Sequence, residues 1–282
     1  SRDRGGTVRH VERGLDVQQH DRLQRRRAGR TEHLPGVLVG NSFGGAVANP
    51  AFVLSQVLAQ MKDRSGRIKI PGFYADVVPP TRRELTDLTN SGFTVAGFKK
   101  DHLYKKLRVE DPLEVMKRIW MMPTFEVHGI SGGYQGAGIK TIVPAWAEAK
   151  VSLRLVPGQS PARVLEAIRS FVAEVEPLVE VVPLGSVPAF VTSVEAPECR
   201  AMDRAAERVL GKGLALTRGG GSIPAVATMA EVLRAPVLLM GLSLPEHGYH
   251  APNEFFDWTQ ARRGVELYSS WFEELERLPG RA

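Results

Sequence analysis

Apolar and polar residues along the chain fall into two regimes. Residues 1–36 contain no Ile, Phe, Tyr, Trp or Met, and no helical or strand period runs through them. From Val37 onward the pattern is that of a folded protein. Gly36-Val37-Leu38-Val39 reads as a short strand. Asn49-Pro50 opens a helix whose Leu54, Val57, Leu58 and Met61 share one face. Gly66 to Ile70 is strand-like. Thr81 with Glu84 makes a capping box, and Ser91-Gly92 closes that helix. Asp111-Pro112 opens another helix that runs to Trp120. Thr124 to Ile130 reads as a strand, with a Gly-rich loop after it to Lys140.

The clearest alternation is at Ala147 to Leu155, where Ala147, Ala149, Val151, Leu153 and Leu155 face one way and Glu148, Lys150, Ser152 and Arg154 the other. Ser160-Pro161 starts a helix to about Val175, and Leu178 to Pro183 reads as a strand. This block predicts helices on one face of a sheet, an α+β layer. A second unit follows: a helix from Pro197 to Leu210, a Gly-rich turn at 219–221 and a helix from Ser222. A buried-type strand from Ala235 to Met240, a loop with His247 and His250, and an amphipathic helix from Trp258 complete it. The fold class predicted is α/β.

Composition adds boundaries to this picture. A chain of 282 residues suggests two domains and a core that needs no staples. Cys199 is the single cysteine, which excludes a disulfide framework or a Cys-cluster zinc site and fits a reducing, cytoplasmic setting. No run of about 18 apolar residues occurs, so no membrane association is expected. Residues 1–33 hold nine Arg, no Lys and five acids, and so carry +4 of the net +6. Basicity confined to one end is not the spread-out footprint of a nucleic-acid-binding face. The 1–36 segment is expected to be disordered, because its composition offers too little apolar area to offset ordering.

Several strings carry candidate chemistry. Gly40-Asn41-Ser42-Phe43-Gly44 matches the G-x-S-x-G nucleophile elbow between a strand and a helix, which would expose Ser42 with His250 as its base. Only 36 unpatterned residues precede it, too few for the strands and oxyanion loop of an α/β-hydrolase. His250 lies on a loop after a strand, a place suited to a metal ligand or a base. Gly219-Gly220-Gly221-Ser222 before a helix is either an anion cradle or a plain tight turn. Arg154 lies on the polar face of its strand. Glu273-Glu274 falls on an amphipathic helix and is assigned to its solvated face.

The stretches FGGAVANPA, GRIKIPGFYADVVP, FEVHGISGGYQGAGIKTIVPAWAEAKVSLRLVPGQ, RGGGSIPAVATM and YHAPNEFFD, in that order, resemble the di-zinc dipeptidases. That family includes carnosinase-like cytosolic dipeptidases. Succinyl-diaminopimelate desuccinylases, acetylornithine deacetylases and aminoacylases are relatives. The resemblance runs from about Ser42 to near the C-terminus. It implies a lid or dimerisation domain at 37–187 and the second half of a catalytic α/β domain at 188–282, after the unmatched segment 1–36. It also implies hydrolysis of a dipeptide or related amide by a metal-bound water, with zinc, manganese or cobalt, and a homodimer formed through the lid. Carried over by position, His250 matches a zinc ligand and Arg154 the lid arginine that grips the substrate carboxylate, a task suited to a guanidinium fork. Thr141 and Ser222 match positions that touch substrate.

The departures from the family pattern bear on activity. The first-half motifs of the family are a His in H-x-D-x-x-P, a bridging Asp, a Glu-Glu pair and a further acidic ligand. None of them occurs in residues 1–36. The family's lid histidine, in His-Ser-Gly, is replaced here by Val39-Gly40-Asn41. Zinc hydrolysis needs three or four protein ligands and a base beside the metal water, and His250 supplies one. The expectation is therefore a truncated family member that is inactive alone, does not stably hold its metal and begins with a shifted reading of GC-rich DNA. The alternatives are a non-catalytic dimerisation or peptide-binding module and, less favoured, a serine hydrolase using Ser42. The matched stretch SFGGAVANPA places Ser42 in the lid instead.

Overall fold

The computed structural model describes residues 39–40, 44–218, 223–244, 247–248 and 252–279. The basic segment 1–36 and the candidates Ser42, Ser222 and His250 lie outside the described residues. The elements in chain order are β1 (Val39–Gly40), α1 (Pro50–Met61), α2 (Arg82–Thr89), α3 (Val95–Asp101), α4 (Pro112–Trp120), β2 (Thr124–Gly132), β3 (Ile142–Val143), β4 (Ala147–Arg154), α5 (Pro161–Val175), α6 (Pro197–Leu210), α7 (Pro224–Leu233) and α8 (Trp258–Glu276).

The described residues divide into two compact units, one drawn from 39–56 and 130–149 and one from 57–129 and 150–279. In the first, β1 and β3 pair antiparallel, with Val39 opposite Val143 and Gly40 opposite Ile142. Asn49 caps the start of α1 through its Oδ1, which accepts the Ala51 N–H at 3.0 Å. Strands β2 and β4 pair as a two-stranded sheet.

The second unit holds three apolar clusters. The largest joins Val57 and Met61 of α1, Ile68, Ile70, Phe73 and Phe125 to Val164, Ile168 and Val172 of α5. The four-residue spacing on α5 lays one apolar stripe against its neighbours. Gln159 ties the turn before α5 to this cluster, because its Nε2 donates to the Phe73 carbonyl at 2.8 Å. Leu88, Met116 and Met121 form a second cluster between α2 and α4. The capping box predicted for α2 is present: Thr81 Oγ1 accepts from Glu84 N and the Glu84 carboxylate accepts from Thr81 N. Asp111 caps the start of α4: its side chain accepts the Glu114 N–H at 2.8 Å.

The third cluster packs α6 on α8 through Met202, Ala205, Ala206 and Leu267. Ala205 and Ala206 are fully buried, so the two helices meet closely. Gly264 on α8 makes room for Leu242, since a Cβ there would come within 2.5 Å of Leu242 Cδ1.

Several predicted features differ in the structure. Gly66–Ile70 contributes one antiparallel bridge, Lys62 to Ile68, and no named strand. Residues 178–183 and 235–240 form no strand and join no ladder among the described residues. Leu238, Met240 and Leu242 pack on the α6–α8 cluster while Leu239 is exposed. The segment therefore buries one face, although its continuous apolar run predicted two. Helix α3 was not predicted: it is short, and Thr94 caps it by accepting the Gly97 N–H. Glu274 is not on a solvated face. It is 3% exposed and pairs with Arg204, Arg208 and Arg277, whereas Glu273 faces solvent.

Candidate active site

Arg154 ends β4, and its side chain is exposed. Its Nη1 donates to the Ile119 carbonyl at 3.2 Å, at the end of α4. That bond steadies the guanidinium from one side and leaves the fork accessible to a carboxylate. Thr141 immediately precedes β3 and is also exposed. Thr141 falls in the first compact unit and Arg154 in the second, and each is placed by the end of a strand.

A different histidine, His247, is firmly placed ahead of α8. His247 is 1% exposed, and both of its ring nitrogens are engaged. Nδ1 accepts the Leu244 N–H at 3.1 Å, so the ring proton sits on Nε2, which donates to Asp257 Oδ2 at 2.8 Å. The His247 carbonyl accepts the Phe255 N–H at 3.1 Å. The rings of Phe255 and Phe256 pack on the imidazole at centroid distances of 5.0 and 5.5 Å. Asp257 also caps α8 by accepting the Gln260 N–H. The Gln260 N–H and the His247 ring hold the Asp257 carboxyl below the usual carboxylate range. His247 is thus tied to the capped start of α8 through Asp257. Sequence reading placed His247 in a loop without a role; an Asp immediately before an apolar-periodic helix was the available signal for its partner.

A metal site needs three or four donors that converge with free lone pairs. Among the described residues no group of three or more His, Cys, Asp or Glu converges in this way. Asp257 and His247 are spent on each other, and the Glu274 carboxylate is spent on three arginines. The described residues therefore do not by themselves fit a catalytic metal centre.

Arg218 was also missed. It precedes the Gly219–Gly221 stretch and makes a two-pronged ion pair with Glu84. Burial alone would raise the Glu84 carboxyl, but hydrogen bonds from Arg218 and Thr81 outweigh it and hold the group below the usual range.

Residues 38–180 match the peptidase dimerisation domain of the M20 type. The chain belongs to the M20 peptidase family. It is 26% identical over 244 residues to the human Beta-Ala-His dipeptidase, covering 84% of this chain and 48% of that protein. It is 28% identical over 250 residues to the Cys-Gly metallodipeptidase of Saccharomyces cerevisiae, covering 84% and 50%. Among solved structures, an M20 family metallo-carboxypeptidase from Sulfolobus solfataricus superposes with a TM-score of 0.77 at 27% identity, over 86% of this chain and 56% of that one. The di-peptidase Dug1p of S. cerevisiae gives 0.73 at 25% identity, over 86% and 53%. The chain spans about half the length of the curated relatives it matches. The mixed helix-and-sheet architecture is thus that of an M20 peptidase over about half its length. No described helix is long and apolar enough to cross a membrane.

Proposed function

We propose that this chain carries the lid, at 37–187, and the C-terminal part of the catalytic domain, at 188–282, of a dipeptide-hydrolysing M20 enzyme, and that alone it binds peptide without turning it over. The observation that carries the reading is the dimerisation-domain match at 38–180, together with relatives named as dipeptidases. In this reading Arg154 grips the substrate carboxylate through its exposed fork, and Thr141 and Ser222 contact the peptide. His250 is one metal ligand, with zinc, manganese or cobalt as the ion. The metal in such enzymes supplies an activated water. Residues 1–36 contain none of the family's remaining ligand and base motifs, so turnover by this chain alone is not expected. The matched range also includes Gly40–Gly44, which supports Ser42 as part of the lid and not as a nucleophile.

The test is an assay of the purified chain on β-alanyl-histidine and cysteinyl-glycine with added zinc, manganese or cobalt. Negligible turnover is expected. Chelator-sensitive hydrolysis would overturn the inactivity, and Ser42 labelling by a fluorophosphonate would revive the serine-hydrolase reading. A second reading, a dimerisation or peptide-binding module without catalysis, is favoured by the same match, because it names that domain. Peptide binding with no turnover in any added half-enzyme would select it.

A further inference from the structure

Helix α3 ends on a left-handed residue that is not glycine. Leu103 has φ +57°, a conformation in which a Cβ is crowded by its own backbone. The bonds around it are those of a Schellman cap. The Tyr104 N–H donates to the Lys99 carbonyl at 2.9 Å and the Leu103 N–H to the Lys100 carbonyl at 3.3 Å. Glycine would make the same cap without the steric cost. Packing does not compensate the leucine either, because it is 89% exposed. A large apolar side chain is thus held in water where both its backbone and its exposure are unfavourable. Residues kept in such states cluster at sites of function.

The turn is braced from within. The rings of Phe98, His102 and Tyr104 pack together within 38° of parallel. Their centroids lie 4.5 Å apart for Phe98–His102, 6.0 Å for His102–Tyr104 and 5.9 Å for Phe98–Tyr104. Tyr104 nevertheless stays half exposed beside Leu103.

The charge around this tip is mostly positive. Lys100, Lys105 and Lys106 are exposed and make no ion pair among the described residues. Asp101 is the only acid within 100–108. Glu110, just beyond, is engaged by Lys99 Nζ at 3.1 Å and by the Leu107 N–H at 3.4 Å. Arg108 carries the basic surface on to the turn before Ile68. Its Nη1 donates to the carbonyl of Arg64 at 2.5 Å, and Arg64 is itself exposed. The acid of that turn, Asp63, is spent locally on the Ser65 hydroxyl at 2.6 Å and the Arg67 N–H at 2.9 Å.

An apolar tip, an aromatic ring beside it and a basic surround ask three things of a partner: hydrocarbon, a polar–apolar boundary and anions. A bilayer with anionic head groups supplies all three together. A nucleic acid supplies anions and bases, but these rings pack on one another and Leu103 gains nothing from a phosphate. We propose that the 98–108 turn docks on an anionic lipid surface. Leu103 enters the acyl boundary, Tyr104 lies at head-group level, and Lys100, Lys105 and Lys106 meet the head groups. Such contact lies on the bilayer and needs no helix that crosses it. It does not depend on the peptide-binding function proposed above.

The test is co-sedimentation of the full chain with vesicles of phosphatidylcholine alone and of equimolar phosphatidylcholine and phosphatidylserine. Binding is expected to the mixed vesicles only, and it falls as sodium chloride is raised. L103G binds on the order of tenfold more weakly, yet melts no lower than the wild type, because glycine suits the left-handed position. Those two results together separate an anchor from a structural leucine. K105Q/K106Q loses roughly fivefold per lysine. The arginine-rich residues 1–33 are the same in every variant, so the differences report on the turn. A wild type that binds neither vesicle overturns the proposal, as does equal binding to both. Binding to the mixed vesicles that is unchanged in L103G, and matched on heparin, overturns it in favour of a polyanion site without an apolar anchor.

Discussion

His247 lies three positions before His250 in the sequence, and its surroundings are fully specified. A buried imidazole with a donor on one side and a carboxylate on the other has one protonation pattern that satisfies both, the neutral ring with its proton on Nε2. Long-range nitrogen–proton correlation spectra should therefore show one histidine with an unprotonated, pyridine-like Nδ1 and a protonated Nε2. Loss of those signals in His247→Leu would assign them. The same substitution leaves the Leu244 N–H and the Asp257 carboxylate without this partner, and it should cost about 1–3 kcal/mol. Urea unfolding checks that cost. Arg154 is the opposite case: exposed, with one bond to a carbonyl. Arg154→Ala should change stability by less than about 0.5 kcal/mol while weakening the binding of β-alanyl-histidine. A drop in melting temperature with unchanged peptide binding would make it a structural residue only.

At the scale of elements, helix starts were the most legible part of the sequence. Thr81 with Glu84, Asp111-Pro112 and Asn49-Pro50 all act at the positions read from the sequence, because a cap is a local interaction between residues two or three apart. Strands were less legible. Leu178–Pro183 and Ala235–Met240 have strand composition, but a strand exists through its ladder partner, which composition does not encode. Glu274 was misread for a related reason. Its helix is amphipathic, yet three arginines, two of them from α6, turn a polar position into a buried clamp. Of the candidate site, Arg154 and Thr141 could be followed into the structure, whereas Ser222 and His250 fall outside the described residues. The Arg218–Glu84 and His247–Asp257 pairs were illegible because their partners are distant in sequence or unremarkable in type.

Two predictions belong to the α6–α8 pair. Ala205→Leu adds volume where no space exists and should cost about 1–3 kcal/mol, read as a lower denaturation midpoint. Hydrogen bonding from Arg204 lowers the Glu274 carboxyl below its ordinary value, burial works against this, and Arg208 and Arg277 add to the lowering. A carboxyl depressed in the folded state contributes stability above its unfolded pKa and loses it as pH falls through the folded value. Glu274→Gln should therefore melt below the wild type at pH 7, and the gap should close as the pH is taken down through and below the carboxylate range. A gap independent of pH would show that the clamp acts through packing alone.

At the scale of the whole molecule, two sets among the exposed apolar residues bear on self-association. Phe52, Ile130, Tyr134, Ile139 and Trp146 lie within the range matched to a dimerisation domain, and Ile139 is 93% exposed. Ile223, Met229, Val232, Leu233 and Leu239 lie just before, on and after α7, outside that range. Each such side chain leaves about 1.5–3 kcal/mol of burial unrealised in the monomer, and clustered exposure of this kind marks interaction surfaces. The two sets predict different products. A lid contact about a two-fold axis uses the same patch on both copies and stops at a dimer; a contact from the α7 surface onto some other patch need not close and continues to larger species. Light scattering over a concentration series separates them. The wild type should be dimeric at tens of micromolar, a concentration on the order of a micromolar dissociation constant or above it, with a tail of larger species. Ile139→Asp combined with Trp146→Glu should shift the dimer to monomer at unchanged melting temperature, since both side chains are already in water. Val232→Asp combined with Leu233→Lys should remove the larger species and keep the dimer. If the wild type stays strictly monomeric across the series, neither surface mediates self-association. If the α7 substitutions abolish the dimer instead, pairing runs through the C-terminal part and the lid assignment of the contact is wrong.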